Sequence, residues 1–456
     1  MAFLGIDVGT SGAKVVVLDE SGALVAQASE EYPLSSPKPG WTEQNPEDWW
    51  RAVSSCLESL QGHKIRSIGL TGQMHGSVFL DSNGEVVRPA LLWNDQRTIH
   101  EVEEIERAVD VRTLTANAPL TGFQLPKVLW LRNNEPDAFR RVRKVLLPKD
   151  YIRFKLTGTF ATEVSDASGT GCFDVINRAW SASVMSALDL DEDLFPRCLE
   201  SDEISAETAT MIPVVGGGGD QAASAVGTGA TKPGVISASM GTSGVIFAPL
   251  ARPEAISGDT VHLFCHANRG WHKMGVTLNF AGAMAWFRRT FCPQRSYAEI
   301  DVMASSVISD DLMFLPYLNG ERCPLNRPDA TASFLGMNST HELPHMARAV
   351  MEGAVLALAD AYDAVGVTAA EVIVTGGGAK SDLWVSMLAT QLGVPCVRLE
   401  AEEGPAMGAA MLAGVGAGFW TLEDAVATCV KKASTVTPGP GNDRLAQFKE
   451  RSAQYR

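Results

Sequence analysis

Apolar residues run from Phe3 to Val8, interrupted by a carboxylate at Asp7, and a second run from Lys14 to Leu18 follows the turn Gly9-Thr10-Ser11-Gly12. Two short apolar runs on either side of a glycine turn predict a β-hairpin. About half a chain later the pattern returns: Val235 to Met240, then Gly241-Thr242-Ser243-Gly244, then Val245 to Phe247. A repeat on that scale predicts two copies of one supersecondary design.

Elsewhere in the first half, Ile65 to Thr71 and Val86 to Leu92 predict strands. Pro46 to Leu60 and Ile99 to Ala108 carry apolar residues at helical spacing behind Asn45 and Thr98 as caps. Pro213-Val214-Val215, a run of glycines and then Asp220 predict a strand, a loop and a helix start, with a hinge near Gly229 to Gly234. In the second half Glu371 to Thr375 predicts a strand entering Gly376-Gly377-Gly378. Asp382 to Leu392 predicts a helix closed by Gly393 in the left-handed conformation. Gly408 to Gly414 predicts a helix of small residues, suited to close packing. Strands and helices in alternation imply α/β layers.

A chain of 456 residues exceeds the size at which single cores stop growing, so two large domains are expected, 1–230 and 231–456. With 45% hydrophobic and 20% charged residues it reads as a folded globular enzyme rather than a disordered chain. The net charge of -15 argues against nucleic acid or an anionic membrane as partner and leaves any anion site to local donors. The start, MAFLGIDVGT, has none of the marks of a secretory signal, and no apolar stretch reaches membrane-spanning length. Eight cysteines scattered without a CxxC pair suit free thiols in a reducing compartment, so the cytoplasm is expected.

The segment GIDVGTSGAK fails both familiar phosphate templates. A Walker loop needs four residues between its glycines, and no GxGxxG opens a helix here. The physical logic of an anion cradle still holds, because glycines let backbone N–H groups and the Thr10 and Ser11 hydroxyls approach anionic oxygens. One copy would read as a plain turn. Two copies, one in each half, predict a pair of cradles that clamp a triphosphate between domains.

Asp7 occupies a strand position where Val or Ile would continue the pattern, which invites Mg²⁺ held through water; the plain reading is a turn hydrogen bond. Asp220 reads as a helix N-cap and equally as a base that accepts a hydroxyl proton, with Gln221 beside it as a hydroxyl reader. Thr71-Gly72-Gln73-Met74-His75-Gly76 places polar groups on a loop after a strand, and Trp93 offers an apolar face for a sugar. His262, Cys265, His266 and His272 have a superficially zinc-like spacing. A strand through HLFCH would turn those side chains to two faces, and no companion motif closes a tetrahedral site. The acidic runs Asp191 to Asp193 and Glu400 to Glu403 read as solvated surface.

Taken in order, GIDVGTSGAK, LTGQMHG, LLWNDQR, GGGGDQAASAVGTG, SMGTSG, LPYLNGERCP, FLGMNSTHELPHMARAVMEG and TGGGAKSDLW are similar to the FGGY carbohydrate kinases of the actin and hexokinase-like superfamily, over essentially the whole chain. The resemblance implies two ribonuclease-H-like α/β domains around a deep cleft. It implies ATP and Mg²⁺, and phosphorylation of a small sugar, D-xylulose, to its 5-phosphate. It assigns Asp220 as general base, Asp7 as the Mg²⁺-linked carboxylate, and Met74 with His75 as the sugar-contacting pair, joined by Gln221 and Trp93. For ATP it implies Gly9, Thr10, Ser11 and Lys14 from the first hairpin, and Gly241, Thr242 and Ser243 from the second. Gly282, Gly376, Gly377, Gly378, Lys380 and Ser381 complete the nucleotide set. Alternatives are a kinase for another pentulose or a polyol, such as ribulose or erythritol, and an actin-like ATP-binding switch without sugar chemistry. Glycerol kinases carry Arg-Glu where this chain has Met74-His75, which argues against glycerol. A homodimer is a further family expectation.

Overall fold

The computed structural model describes the chain except residues 257, 310, 402, 403 and 456 and the side chain of Tyr455, so Glu402 and Glu403 of the second acidic run lie outside the described residues. The chain divides into two compact units. One comprises Met1–Gly229, Leu263–Trp271 and Glu403–Val430, the other Ala230–His262, His272–Glu402 and Lys431–Arg456. A single cut after residue 230 would therefore miss two later segments that belong with the first unit.

The first unit is built on a seven-stranded sheet of β1 (Ala2–Val8), β2 (Gly12–Asp19), β3 (Leu24–Glu31), β4 (Ile65–Gly72), β5 (Ile204–Glu207), β6 (Pro213–Val215) and β7 (Gly218–Gly219). The order is β5-β6-β4-β1-β2-β3, with β7 also pairing β4. The glycine turn makes β1 and β2 antiparallel, whereas β1 and β4 run parallel across the helix Pro46–Ser59. That helix starts where the Asn45 side chain accepts from Glu47 N–H, and it buries Trp49, Ala52, Val53 and Cys56, one face at helical spacing. Trp49 is fully buried and its Nε1 donates to Gln44 Oε1 at 3.1 Å. Burying a ring of that size contributes roughly 3 kcal/mol.

The small-residue helix extends over Gly404–Gly416 and covers this sheet. A Cβ on Gly5 would stand 1.9 Å from Ala406 O, one on Gly69 would stand 1.9 Å from Ala409 O, and one on Gly408 would stand 1.8 Å from Ala223 O. Backbone thus packs on backbone, which only glycine permits.

Two local expectations change. Thr98 does precede the helix Ile99–Ala108, but its side chain makes no capping bond because the hydroxyl donates to Thr121 O at 3.0 Å. Within Val86 to Leu92 only Ala90–Leu91 is a strand; Val86 makes an isolated bridge to Leu80, and Pro89 has no N–H to continue a ladder. In the first acidic run, Asp191 Oδ1 accepts from Asp193 N–H at 2.9 Å and so caps a 3₁₀ turn.

A second seven-stranded sheet is built mostly from the other unit: β8 (Val235–Met240), β9 (Gly244–Leu250), β10 (Val261–Cys265), β11 (Trp271–Thr277), β12 (Glu371–Thr375), β13 (Cys396–Leu399) and β14 (Lys432–Val436), in the order β10-β11-β9-β8-β12-β13-β14. The two sheets share a plan. A glycine hairpin, β1-β2 or β8-β9, is followed by a parallel neighbour of its first strand, a further strand and an antiparallel edge strand. The repeat read from the two GTSG turns is therefore a repeat of topology. The helix Leu343–Val365 packs under this sheet, and Asp382–Leu392 runs from a Ser381 cap to Gly393 at φ 65°. Among the described residues no helix is long and apolar enough to cross a membrane. None of the eight cysteines is in a disulfide.

Candidate active site

In the first unit, register brings two carboxylates to the end of one strand. Asp7 on β1 pairs with Thr71 on β4, and Thr71 on its other side pairs with Gly218 on β7, so Asp220 enters across β4 from Asp7. The glycine run makes this possible. A Cβ on Gly217, at φ 76°, would stand 1.9 Å from Leu70 O, and one on Gly216 would stand 2.3 Å from Glu200 O. These glycines serve the approach of one backbone to another.

Asp220 is the first residue of the helix Asp220–Thr228, and Gly219 holds the cap position. The N-cap reading of Asp220 is thus off by one residue, because the carboxylate lies inside the first turn. Burial pushes its pKa up to about 6, opposed by hydrogen bonds from the Gln221 backbone and side chain. Asp7 rises further, to about 7, first through burial and second through the negative charge of Asp220, against the pull of Lys14 opposite it on β2. Its Oδ1 is buried and has no hydrogen-bond partner.

Met74 stands against Gly219, the residue before Asp220, and His75 follows it in the chain. A Cβ on Gly219 would lie 2.9 Å from Met74 Sδ, and Met74 is buried. His75 adopts φ 66°, an uncommon conformation for a residue with a Cβ, and is held from three sides. Its Nδ1 lies 2.7 Å from Gly169 O, its ring lies 4.9 Å from that of Phe123, and its carbonyl accepts from Lys127 Nζ at 2.8 Å. Burial pushes the Lys127 ammonium down to about 7. Trp93 is 40% exposed and leaves a face open.

The first hairpin is tied more tightly than its sequence suggests. Gly9 N–H donates to Gly12 O at 3.0 Å, and Tyr32 OH donates to Gly9 O at 2.5 Å. Thr10 Oγ1 donates to Gln73 Oε1 at 3.2 Å and accepts from Trp93 Nε1 at 3.0 Å, while Gln44 Nε2 donates to Thr10 O at 2.8 Å. The Thr10 hydroxyl, expected at phosphate, is committed to the polar loop and the tryptophan. Gln44, Gln73, Gly169 and Lys127 were not singled out from sequence. Gln73 lies inside the LTGQMHG motif and was within reach, whereas the other three act through contacts distant in the chain.

In the second unit a cavity of about 580 Å³ is lined by Thr242, Gly282, Gly377, Gly378, Lys380 and Ser381 of the expected nucleotide set, together with Met284, Tyr297, Asp301, Met351 and Trp384. Gly241, Ser243 and Gly376 are not on its wall. Gly376, at φ 85°, backs onto the hairpin, where a Cβ would lie 3.0 Å from Gly241 N. The carbonyls of Gly241 and Thr242 accept from the N–H groups of Phe280, Ala281 and Gly282, which joins the hairpin to the start of the helix Ala281–Phe291. A Cβ on Gly282 would stand 2.9 Å from Thr242 O, so this junction needs glycine. The Ser381 hydroxyl donates to Asp301 Oδ1 at 2.5 Å and accepts from Trp384 N–H at 3.0 Å. It therefore serves as a helix cap and as an anchor for Asp301.

The N-terminal domain of the FGGY family of carbohydrate kinases matches residues 2–227, and the C-terminal domain of the same family matches residues 236–417. The chain is 42% identical over 439 residues to a xylulose kinase of Escherichia coli (strain K12), covering 91% of this chain and 90% of the relative. It is 37% identical over 464 residues to a xylulose kinase of Bacillus subtilis (strain 168), covering 96% and 93%. The crystal structure of a xylulose kinase from Rhodospirillum rubrum superposes with a TM-score of 0.93 at 27% identity, over 100% of this chain and 99% of that one.

Proposed function

Because the chain belongs to the FGGY family of carbohydrate kinases, we propose that it transfers the γ-phosphoryl group of ATP to xylulose, with the C5 primary hydroxyl of D-xylulose as acceptor. The observation that carries this reading is the placement of Asp220 at the head of a helix, against Met74 through Gly219 and across β4 from Asp7, whose buried Oδ1 has no hydrogen-bond partner.

Asp220 accepts the hydroxyl proton as the acceptor oxygen attacks phosphorus. A pKa of about 6 leaves it mostly ionised at neutral pH yet basic enough to take the proton. Met74, His75, Gln221 and the open face of Trp93 orient the sugar, and the strained conformation of His75 is kept by Gly169 and Lys127. Thr10 and Ser11 N–H groups, the Ser11 hydroxyl and Lys14 supply donors to phosphate oxygens from the first hairpin. Gly241, Thr242 and Ser243 do so from the second. Adenosine occupies the cavity beside Gly282, Gly377, Gly378 and Lys380, with Ser381 on its wall and Gly376 behind it against the hairpin.

Mg²⁺ fits the residues present. Asp7 offers a buried oxygen with no partner, and the charge of Asp220 adds to the demand for a cation. Asp7 would hold the ion through water, because Mg²⁺ dehydrates reluctantly. Held there, it would supply positive charge to the phosphate oxygens during transfer. The free thiols favour a reducing compartment, the cytoplasm.

Coupled ADP release, measured with xylulose, ribulose, erythritol, glycerol and no sugar, tests the reading. Xylulose should give the highest kcat/KM, and ³¹P–¹H coupling in the product should place phosphate on C5. ATP turnover indifferent to every sugar would overturn it.

A further inference from the structure

Gly219 immediately precedes the base and has no side chain by which the surrounding protein could hold it. What holds it is Ser165, on the short helix Val164–Ala167: the Gly219 N–H donates to Ser165 Oγ at 3.0 Å. The direction of that bond is set from behind. Ser165 Oγ–H donates to Glu163 Oε1 at 2.9 Å, so the lone pairs of Oγ are left for Gly219. Glu163 is fixed in its turn by the Ser165 N–H at 2.8 Å, the Asp166 N–H at 2.9 Å and Ser201 Oγ at 2.8 Å. A hydroxyl that gives its proton to a carboxylate is a stronger acceptor than one that gives it to water. Ser165, Glu163 and Ser201 are all buried, so the chain of bonds is not contested by solvent. A few residues further on, Gly169 O meets His75 Nδ1 at 2.7 Å. The segment from Glu163 to Gly169 therefore supports both the sugar-facing histidine and the residue before the base.

We propose that Ser165 is a positioning residue for phosphoryl transfer: through the Gly219 N–H it fixes the backbone from which Asp220 reaches the acceptor hydroxyl. The proposal rests on the reading of Asp220 as general base. A displacement of the base on the order of 1 Å is enough to cost up to about 10²-fold in rate.

The test compares steady-state kinetics of Ser165→Ala, Ser165→Cys, Asp220→Asn and the double variant Ser165→Ala/Asp220→Asn. Ser165→Ala should lower kcat about 10-fold or more, with KM for xylulose and for ATP within about twofold of the parent. Ser165→Cys fills the same space with a poorer acceptor and should fall between the two. In the Asp220→Asn background Ser165→Ala should change kcat no further, because both act on one step. A parental kcat in Ser165→Ala or Ser165→Cys, or full additivity in the double variant, would overturn the proposal while leaving the base in place. Normal turnover in Asp220→Asn would overturn the base assignment and this proposal with it.

Discussion

Trp93 Nε1 donates to Thr10 Oγ1 at 3.0 Å, and that hydroxyl donates onward to Gln73 Oε1 at 3.2 Å. A residue of the first glycine hairpin thus fixes the aromatic proposed to face the sugar, and Gln44 closes the ring by donating to Thr10 O and accepting from Gln73 Nε2 at 3.0 Å.

Thr10→Val keeps the shape of the side chain and removes both bonds. Each lost hydrogen bond is worth about 1 kcal/mol, so the pair is worth about 2 kcal/mol and KM for xylulose should rise by up to roughly 30-fold, more than KM for ATP. A rise confined to ATP would return Thr10 to a purely phosphate-side role.

Asp220→Asn should retain the fold and nucleotide affinity and lose on the order of 10² or more in kcat. Isothermal titration with ADP separates the two effects. Weakened nucleotide binding with near-parental turnover would remove Asp220 from the chemistry.

The pH dependence of kcat/KM follows from the two raised carboxylates. Asp220 must be ionised to accept a proton and Asp7 must be ionised to attract a cation, with pKa values of about 6 and about 7. The rate should therefore fall as pH drops through 7, with a slope that steepens below 6. A profile flat down to pH 5 would contradict both assignments.

Stability should move the opposite way. The Asp7 pKa is raised from 3.8 to about 7, so the native state binds this proton more tightly than the unfolded chain does. The resulting stabilisation is present at low pH and is lost as pH rises through 7. Asp7→Asn, which never ionises, should match the parent near pH 4 and exceed it at pH 8 by about 1 to 3 kcal/mol in Mg²⁺-free buffer, while losing activity. Chemical denaturation at the two pH values reads the difference.

His75→Ala and Gly169→Ala should act alike. A Cβ on Gly169 would stand 2.3 Å from His75 Cε1, so the ring must leave its place. Both variants should raise KM for xylulose with ATP affinity spared; a selective loss of ATP affinity would put His75 on the nucleotide side.

What could be read from sequence was local. The hairpins announced themselves because a glycine turn between apolar runs has few other solutions, and Asp7 because a carboxylate broke an apolar strand. Thr10 was placed at phosphate because its neighbours in sequence are glycines, whereas its partners Gln73 and Trp93 lie in distant segments brought near by the sheet. Ser381 entered the nucleotide set through the family resemblance, yet its hydroxyl is shared between a helix cap and Asp301, for which no local pattern spoke. Val86 to Leu92 looked continuous because hydrophobicity was weighed and the missing N–H of Pro89 was not. The composition of the Gly404–Gly416 helix promised close packing without naming the surface it would meet.

That helix also sets the order of events during synthesis. β1 and β4 leave the ribosome early, but the backbone that must lie on Gly5 and Gly69 belongs to Ala406 and Ala409. At roughly 5 to 20 residues per second, the oldest strands wait tens of seconds for their cover. Until then that face of the first sheet lacks its cover, and apolar surface exposed in this way is open to chaperones and to aggregation. The earliest part of this enzyme to be made is among the last to be closed.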